Sequence, residues 1–190
     1  HRFGTKFIRI MSYGNSKDEP LDDTAWRDEA IRRLKVLAKM AEDAGIILLH
    51  ENCTGWGGLS PENNIILLNE VASPALKEVF DTGNPVTYGQ DSWQYYKAVR
   101  DHIVYVHIKD AKIVNGKNVY TYCGDGSAYV REIVRDLLTT GYDGGFSIEP
   151  HVAAVIHNAQ SADPQLLYSS YIEYGRRFMA IFNEIQASQG

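Results

Sequence analysis

The chain has 190 residues, enough for one ordinary domain with a real core, and its 44% apolar and 23% charged content is globular, which excludes disordered and collagen-like classes. A net charge of −5 without any Lys/Arg-rich run argues against a nucleic-acid-binding surface, and no apolar run approaches the ~20 residues needed to cross a bilayer. Cys53 and Cys123 show no CxxC spacing, so they read as reduced cytoplasmic thiols rather than a disulfide framework or a cysteine zinc site.

FIRIM (7–11) reads as a short strand. A helix is predicted over 24–45, with Thr24 as N-cap and Gly45 just past its end; Trp26, Ala30, Leu34, Leu37 and Ala41 recur at helical spacing. IILLHE (46–51) is a continuously apolar run, as expected of a strand covered on both faces. Ser60 and Pro61 start a helix to Val71. LKEVFD (76–81) reads as strand, 91–101 as helix and IVYVHIKD (103–110) as strand. A helix over 127–141 carries Val130, Ile133, Val134, Leu137 and Leu138 on one face, and GFSIE (145–149) is the last strand. The final helix, 163–185, opens on Asp163–Pro164 and buries Leu167, Tyr171, Tyr174 and Phe178. Such β-then-α alternation, with no meander and no linker, means a parallel sheet. No GxGxxG follows the first strand, so a dinucleotide fold is disfavoured against part of a (β/α)8 barrel.

The strand ends share a pattern. ILLHEN ends on Glu51, VFDTGN on Asp81, YVHIKD carries His107, and FSIEPH ends on Glu149. Each alone has an ordinary explanation: Glu51 paired with a lysine, Asp81 capping a turn, His107 satisfied in the core. In a parallel barrel, however, all four ends converge on one mouth. Three carboxylates brought together repel unless protonated or bridged by a cation. Oxygen-rich ligation with one imidazole suits Mn2+, Mg2+ or Co2+, with Zn2+ also possible.

In this order and spacing, LLHEN, VFDTGN, VHIKD and FSIEPH resemble the xylose isomerase-like TIM-barrel superfamily, most of all its sugar phosphate isomerase/epimerase group, from Phe7 onward. The resemblance implies that Glu51, Asp81, His107 and Glu149 hold one divalent ion, Mn2+ foremost. It further implies that Glu51 and Glu149 form the acid/base pair on opposite sides of the substrate carbon. FIRIM then corresponds to the family's fourth strand, and residues 1–190 are read as a single, N-terminally incomplete (β/α)8 barrel of about five βα units. Many epimerases of the family carry a His three residues after the Asp ligand, where this chain has Asn84.

The expected activity is a metal-dependent sugar isomerase or epimerase, working by proton abstraction next to a polarised carbonyl and through an enediolate. A lyase or dehydratase on keto-sugars or keto-inositols would use the same ligands. An apurinic endonuclease, a Schiff-base aldolase using Lys109 and an inactive partner subunit are the remaining alternatives. His151 either binds a substrate hydroxyl or is a loop histidine. Lys109 shares the parity of His107 and reads more simply as an interior salt-bridge partner than as a substrate contact. Trp56 either stacks on a sugar face or covers the barrel edge. CGDG (123–126) could cradle an anion, but Asp125 opposes one, so an unphosphorylated sugar or polyol is the expected substrate. No nucleic-acid or membrane partner is expected; exposed sheet edges predict a homo-oligomer or association with the missing N-terminal units.

Overall fold

The computed structural model describes residues 4–152 and 163–188. One five-stranded sheet runs in the order β1 (Phe7–Ser12), β2 (Ile47–Gly55), β3 (Leu76–Asp81), β4 (Ile103–Ile108) and β7 (Gly145–Ile148). β2 pairs parallel with both neighbours, Phe7 opposite Ile47 on one side and Leu48 opposite Leu76 on the other. The chain divides into two compact units, residues 1–80 with 97–105, and residues 81–96 with 106–190.

In the first unit, helices α1 (Asp23–Ala44) and α2 (Pro61–Val71) cover the sheet. Ala30, Ile31, Leu34, Ala38 and Ala41 line the buried side of α1, with Trp26 and Leu37 at its flanks. The N-cap is Asp22 rather than Thr24: its carboxylate accepts from the Ala25 amide at 2.9 Å, placing the stronger acceptor at the positive end of the helix. Gly45 closes the helix in the left-handed conformation, and Ser60 caps α2 by accepting from the Asn63 amide. β2 buries both faces, and its outward residue His50 meets Glu78 (Nδ1 to Oε2, 3.2 Å), which also accepts from Asn64 at 2.8 Å. Burial raises the Glu78 carboxyl above its ordinary range, against the pull of His50 and Asn64.

In the second unit, α5 (Val130–Thr139) and α6 (Pro164–Ala187) supply the apolar face. Phe146 of β7 packs on Phe178 and Phe182 at ring separations of 5.7 and 5.9 Å. On α6, Tyr174 and Phe178 are buried, whereas Leu167 and Tyr171 are exposed. The buried stripe instead runs through Ser170, Tyr174, Phe178, Ile181 and Ile185. The predicted stripe and the buried one share only Tyr174 and Phe178, because the packed face is offset toward Ser170 and away from Tyr171.

α5 starts at Val130, three residues later than predicted, because Tyr129 takes the left-handed conformation (φ 54°, ψ 33°), which a right-handed helix cannot include. Ser127 N–H donates to the Ala111 carbonyl and Ala128 N–H to Asp110. The expectation of no meander is also corrected. An antiparallel hairpin, β5 (Ala111–Val114) and β6 (Lys117–Tyr120), follows β4. Its turn residues Asn115 and Gly116 have φ of 51° and 73°, the left-handed pair that a two-residue hairpin turn requires. The short helix α3 (Asn84–Thr87) follows β3, and the predicted 91–101 helix is α4 (Ser92–Val99) closed by a 3-10 turn. Neither Cys53 nor Cys123 forms a disulfide.

Candidate metal centre

Three of the predicted ligands belong to the second unit and come together there. Asp81 ends β3, His107 lies on β4, and Glu149 follows β7. The ladder sets their spacing, since Thr82 N–H donates to the His107 carbonyl and Glu149 N–H to the Ile108 carbonyl, both at 3.0 Å. The three side chains each present a ligand atom within 4.8 Å of the others.

The oxygens of Asp81 are divided between two tasks. Oδ1 accepts from the Gly83 and Asn84 amides at 2.9 and 2.7 Å, fixing the turn after β3. Oδ2 faces Lys109 Nζ at 2.9 Å. Glu149 does likewise: Oε2 lies 3.1 Å from His107 Nδ1, and Oε1 lies 3.1 Å from Lys109 and 3.5 Å from His151 Nε2. Burial raises the Glu149 carboxyl, but His107, His151 and Lys109 outweigh it and hold the group well below the usual carboxylate range. Burial lowers the Lys109 ammonium, and Asp81 and Glu149 more than offset it, so the lysine is held above its ordinary value.

Glu51 belongs to the first unit. It is 1% exposed and lies midway along β2, which runs on past the expected end at Glu51 to Gly55, with Arg9 Nη1 2.8 Å from its Oε2. In the parallel register Glu51 stands opposite Val79, and Asp81 follows two residues further along β3. Arg9 is the residue that the sequence reading missed. Its signal was an arginine inside the apolar strand FIRIM, where a charge needs a partner.

Asn84 and Lys109 lie beside the cluster, Asn84 Oδ1 accepting from Lys109 Nζ at 3.1 Å. His151 is buried, edge-on to Tyr120 of β6. Trp56 is 2% exposed in the first unit's core, and its Nε1 donates to Asp23. The CGDG loop forms an amide cradle already filled by the chain itself. Gly124, Gly126 and Ala128 N–H all donate to the Asp110 carboxylate, at 2.8 to 3.1 Å. A groove of about 440 Å³ lined by Arg27, Arg32, Lys35, Ile66 and Glu70 lies on α1 and α2 and contains none of the ligand candidates.

Two carboxylates and an imidazole at the ends of neighbouring strands are a donor set suited to a hard or borderline divalent cation, and the fold is α/β. The chain belongs to the xylose isomerase-like TIM barrel family, whose sequence pattern matches residues 1–169. It is 26% identical over 184 residues to the inosose dehydratase of Geobacillus thermodenitrificans, covering 83% of this chain and 61% of that protein. It is 26% identical over 124 residues to fructoselysine 3-epimerase of Escherichia coli O157:H7, covering 61% of this chain and 42% of that protein. Among solved structures, a xylose isomerase-like TIM barrel protein from Mycobacterium smegmatis in complex with magnesium superposes with a TM-score of 0.73 at 20% identity, over 97% of this chain and 63% of that one. The chain therefore spans less than two thirds of each of these relatives. No helix among the described residues is long and apolar enough to cross a membrane.

Proposed function

We propose that Glu51, Asp81, His107 and Glu149 hold one divalent cation, Mn2+ foremost, in an isomerase or epimerase acting on an unphosphorylated sugar or polyol. The observation that carries this reading is the Asp81–His107–Glu149 cluster at successive strand ends. A bound cation supplies Lewis acidity, polarising a substrate carbonyl and orienting its neighbouring hydroxyl. Glu149, held as a carboxylate by His107, His151 and Lys109, is the base that takes the proton α to that carbonyl. Glu51 returns a proton on the opposite face, with Arg9 orienting it. His151 and Asn84 are the polar groups that meet substrate hydroxyls, and Lys109 is the interior salt-bridge partner of Asp81 and Glu149. Asp110 occupies the amides of the CGDG loop, which leaves that loop with little to offer a phosphate.

Replacing Asp81 by Ala is expected to abolish Mn2+ binding in calorimetry while the protein stays folded; unchanged affinity would refute the ligand assignment. Deuterium from solvent should enter the product at the abstracted carbon, and a product formed without it would point to hydride transfer. A dehydratase is the alternative, favoured by the 83% of this chain that aligns with an inosose dehydratase; loss of water from the product distinguishes the two. A Schiff-base aldolase is disfavoured, because Asp81 and Glu149 hold Lys109 as an ammonium, which is no nucleophile. The five strands are further read as five units of an eight-unit barrel, in keeping with the 61% of the dehydratase relative that the chain spans.

A further inference from the structure

We propose that Lys109 is an internal counter-cation that competes with the divalent ion for Asp81 and Glu149, and so lowers metal affinity while stabilising the metal-free protein. This rests on the metal reading above. An ammonium has three donors, and Lys109 Nζ meets three acceptors: Asp81 Oδ2 at 2.9 Å, Glu149 Oε1 at 3.1 Å and Asn84 Oδ1 at 3.1 Å. The residue is only 3% exposed.

The fold specifies this position. The Lys109 amide donates to Thr82 Oγ1, and the Thr82 hydroxyl donates back to the Lys109 carbonyl at 2.6 Å, clamping β4 to the end of β3. The lysine stem then crosses Gly83, where an added Cβ would stand 2.7 Å from Lys109 Cγ. A side chain larger than hydrogen at position 83 would push the ammonium off its carboxylates.

Competition follows from how the oxygens are assigned. Asp81 Oδ1 is committed to the Gly83 and Asn84 amides, so Oδ2 is the oxygen that either cation must use. Glu149 Oε1 is shared between Lys109 and His151 in the same way. A divalent ion bound to these oxygens would lie within a few ångströms of a fixed positive charge, and the two repel strongly in a buried site. The same ammonium offsets the repulsion between Asp81 and Glu149 when no metal is present.

The test is calorimetry with Mn2+, together with thermal melting of EDTA-treated protein, on the parent and on Lys109→Met and Lys109→Gln. The expected result is a lower melting temperature without metal and an Mn2+ affinity raised roughly tenfold, within the usual range of coupling between two ligands. Gln keeps a polar end at the site, so it gives the answer if the Met variant fails to fold. If the parent binds Mn2+ and both variants bind it equally well or more weakly, the competition is overturned while the metal reading stands. If neither parent nor variants take up Mn2+, the metal reading falls and the competition with it.

Discussion

The two oxygens of Asp81 face different ways: one caps the turn at 83–84, the other faces the Lys109 ammonium. The turn-capping explanation of that residue holds, and its second oxygen is the one the proposed metal role would use. Glu149 offers a sharper test, since every charged contact it makes favours its ionised form. Glu149→Gln keeps the shape but removes the base, and the expected loss is ~10²–10⁴ in kcat, read in a steady-state assay with KM much less affected. A variant within a factor of two of the parent would move the base elsewhere. The strand-end acids and His107 were legible because each closes an apolar run. Arg9 was not, because alternation along a strand tells which face a residue takes and nothing about its partner on the next strand. Trp56 left two readings open for a related reason: a glycine-rich setting suggests an exposed loop, whereas those glycines let a 3-10 turn tuck the indole against Asp23.

At the scale of elements, strand and helix order was readable from periodicity, and β3 matches its predicted bounds, Leu76–Asp81. The caps were less so, because Asp22, Asp23 and Thr24 are all competent and only backbone geometry chooses; Asp22 is the one in extended conformation. Asp22→Ala is expected to cost about 1 kcal/mol in denaturant unfolding and Thr24→Ala only a few tenths; equal effects would contradict the cap assignment. The β5–β6 hairpin was missed although Asn115–Gly116 is a strong turn signal. Its strands are only four residues each and mix Lys112, Lys117 and Asn118 with the apolar positions, so no alternation stood out. The start of α5 was missed because a left-handed backbone at a tyrosine, Tyr129, leaves no mark in the residue pattern.

For the whole molecule, β1 is the end strand of the described sheet, and it exposes Phe7 and Ile8 at 43% and 49%. An apolar strand with one unpaired edge is a template for another chain. The protein is expected to associate through that edge, and Ile8→Lys should shift light scattering toward the monomer. A parent that is already monomeric at high concentration would remove this expectation.

The Asp110 cradle ties a loop of the second unit to the residues just after β4. Residues 124–128 contain no helix or strand, yet three of their amides are held by a single carboxylate at the end of β4, 14 to 18 positions earlier in the chain. The loop has no helix or strand of its own, so its shape depends on that carboxylate. Because Lys109 and Asp110 are consecutive, the backbone just after β4 aims both, one side chain toward the carboxylates and the next into the loop. A change that shifts this strand end is expected to disturb the loop and the ammonium together.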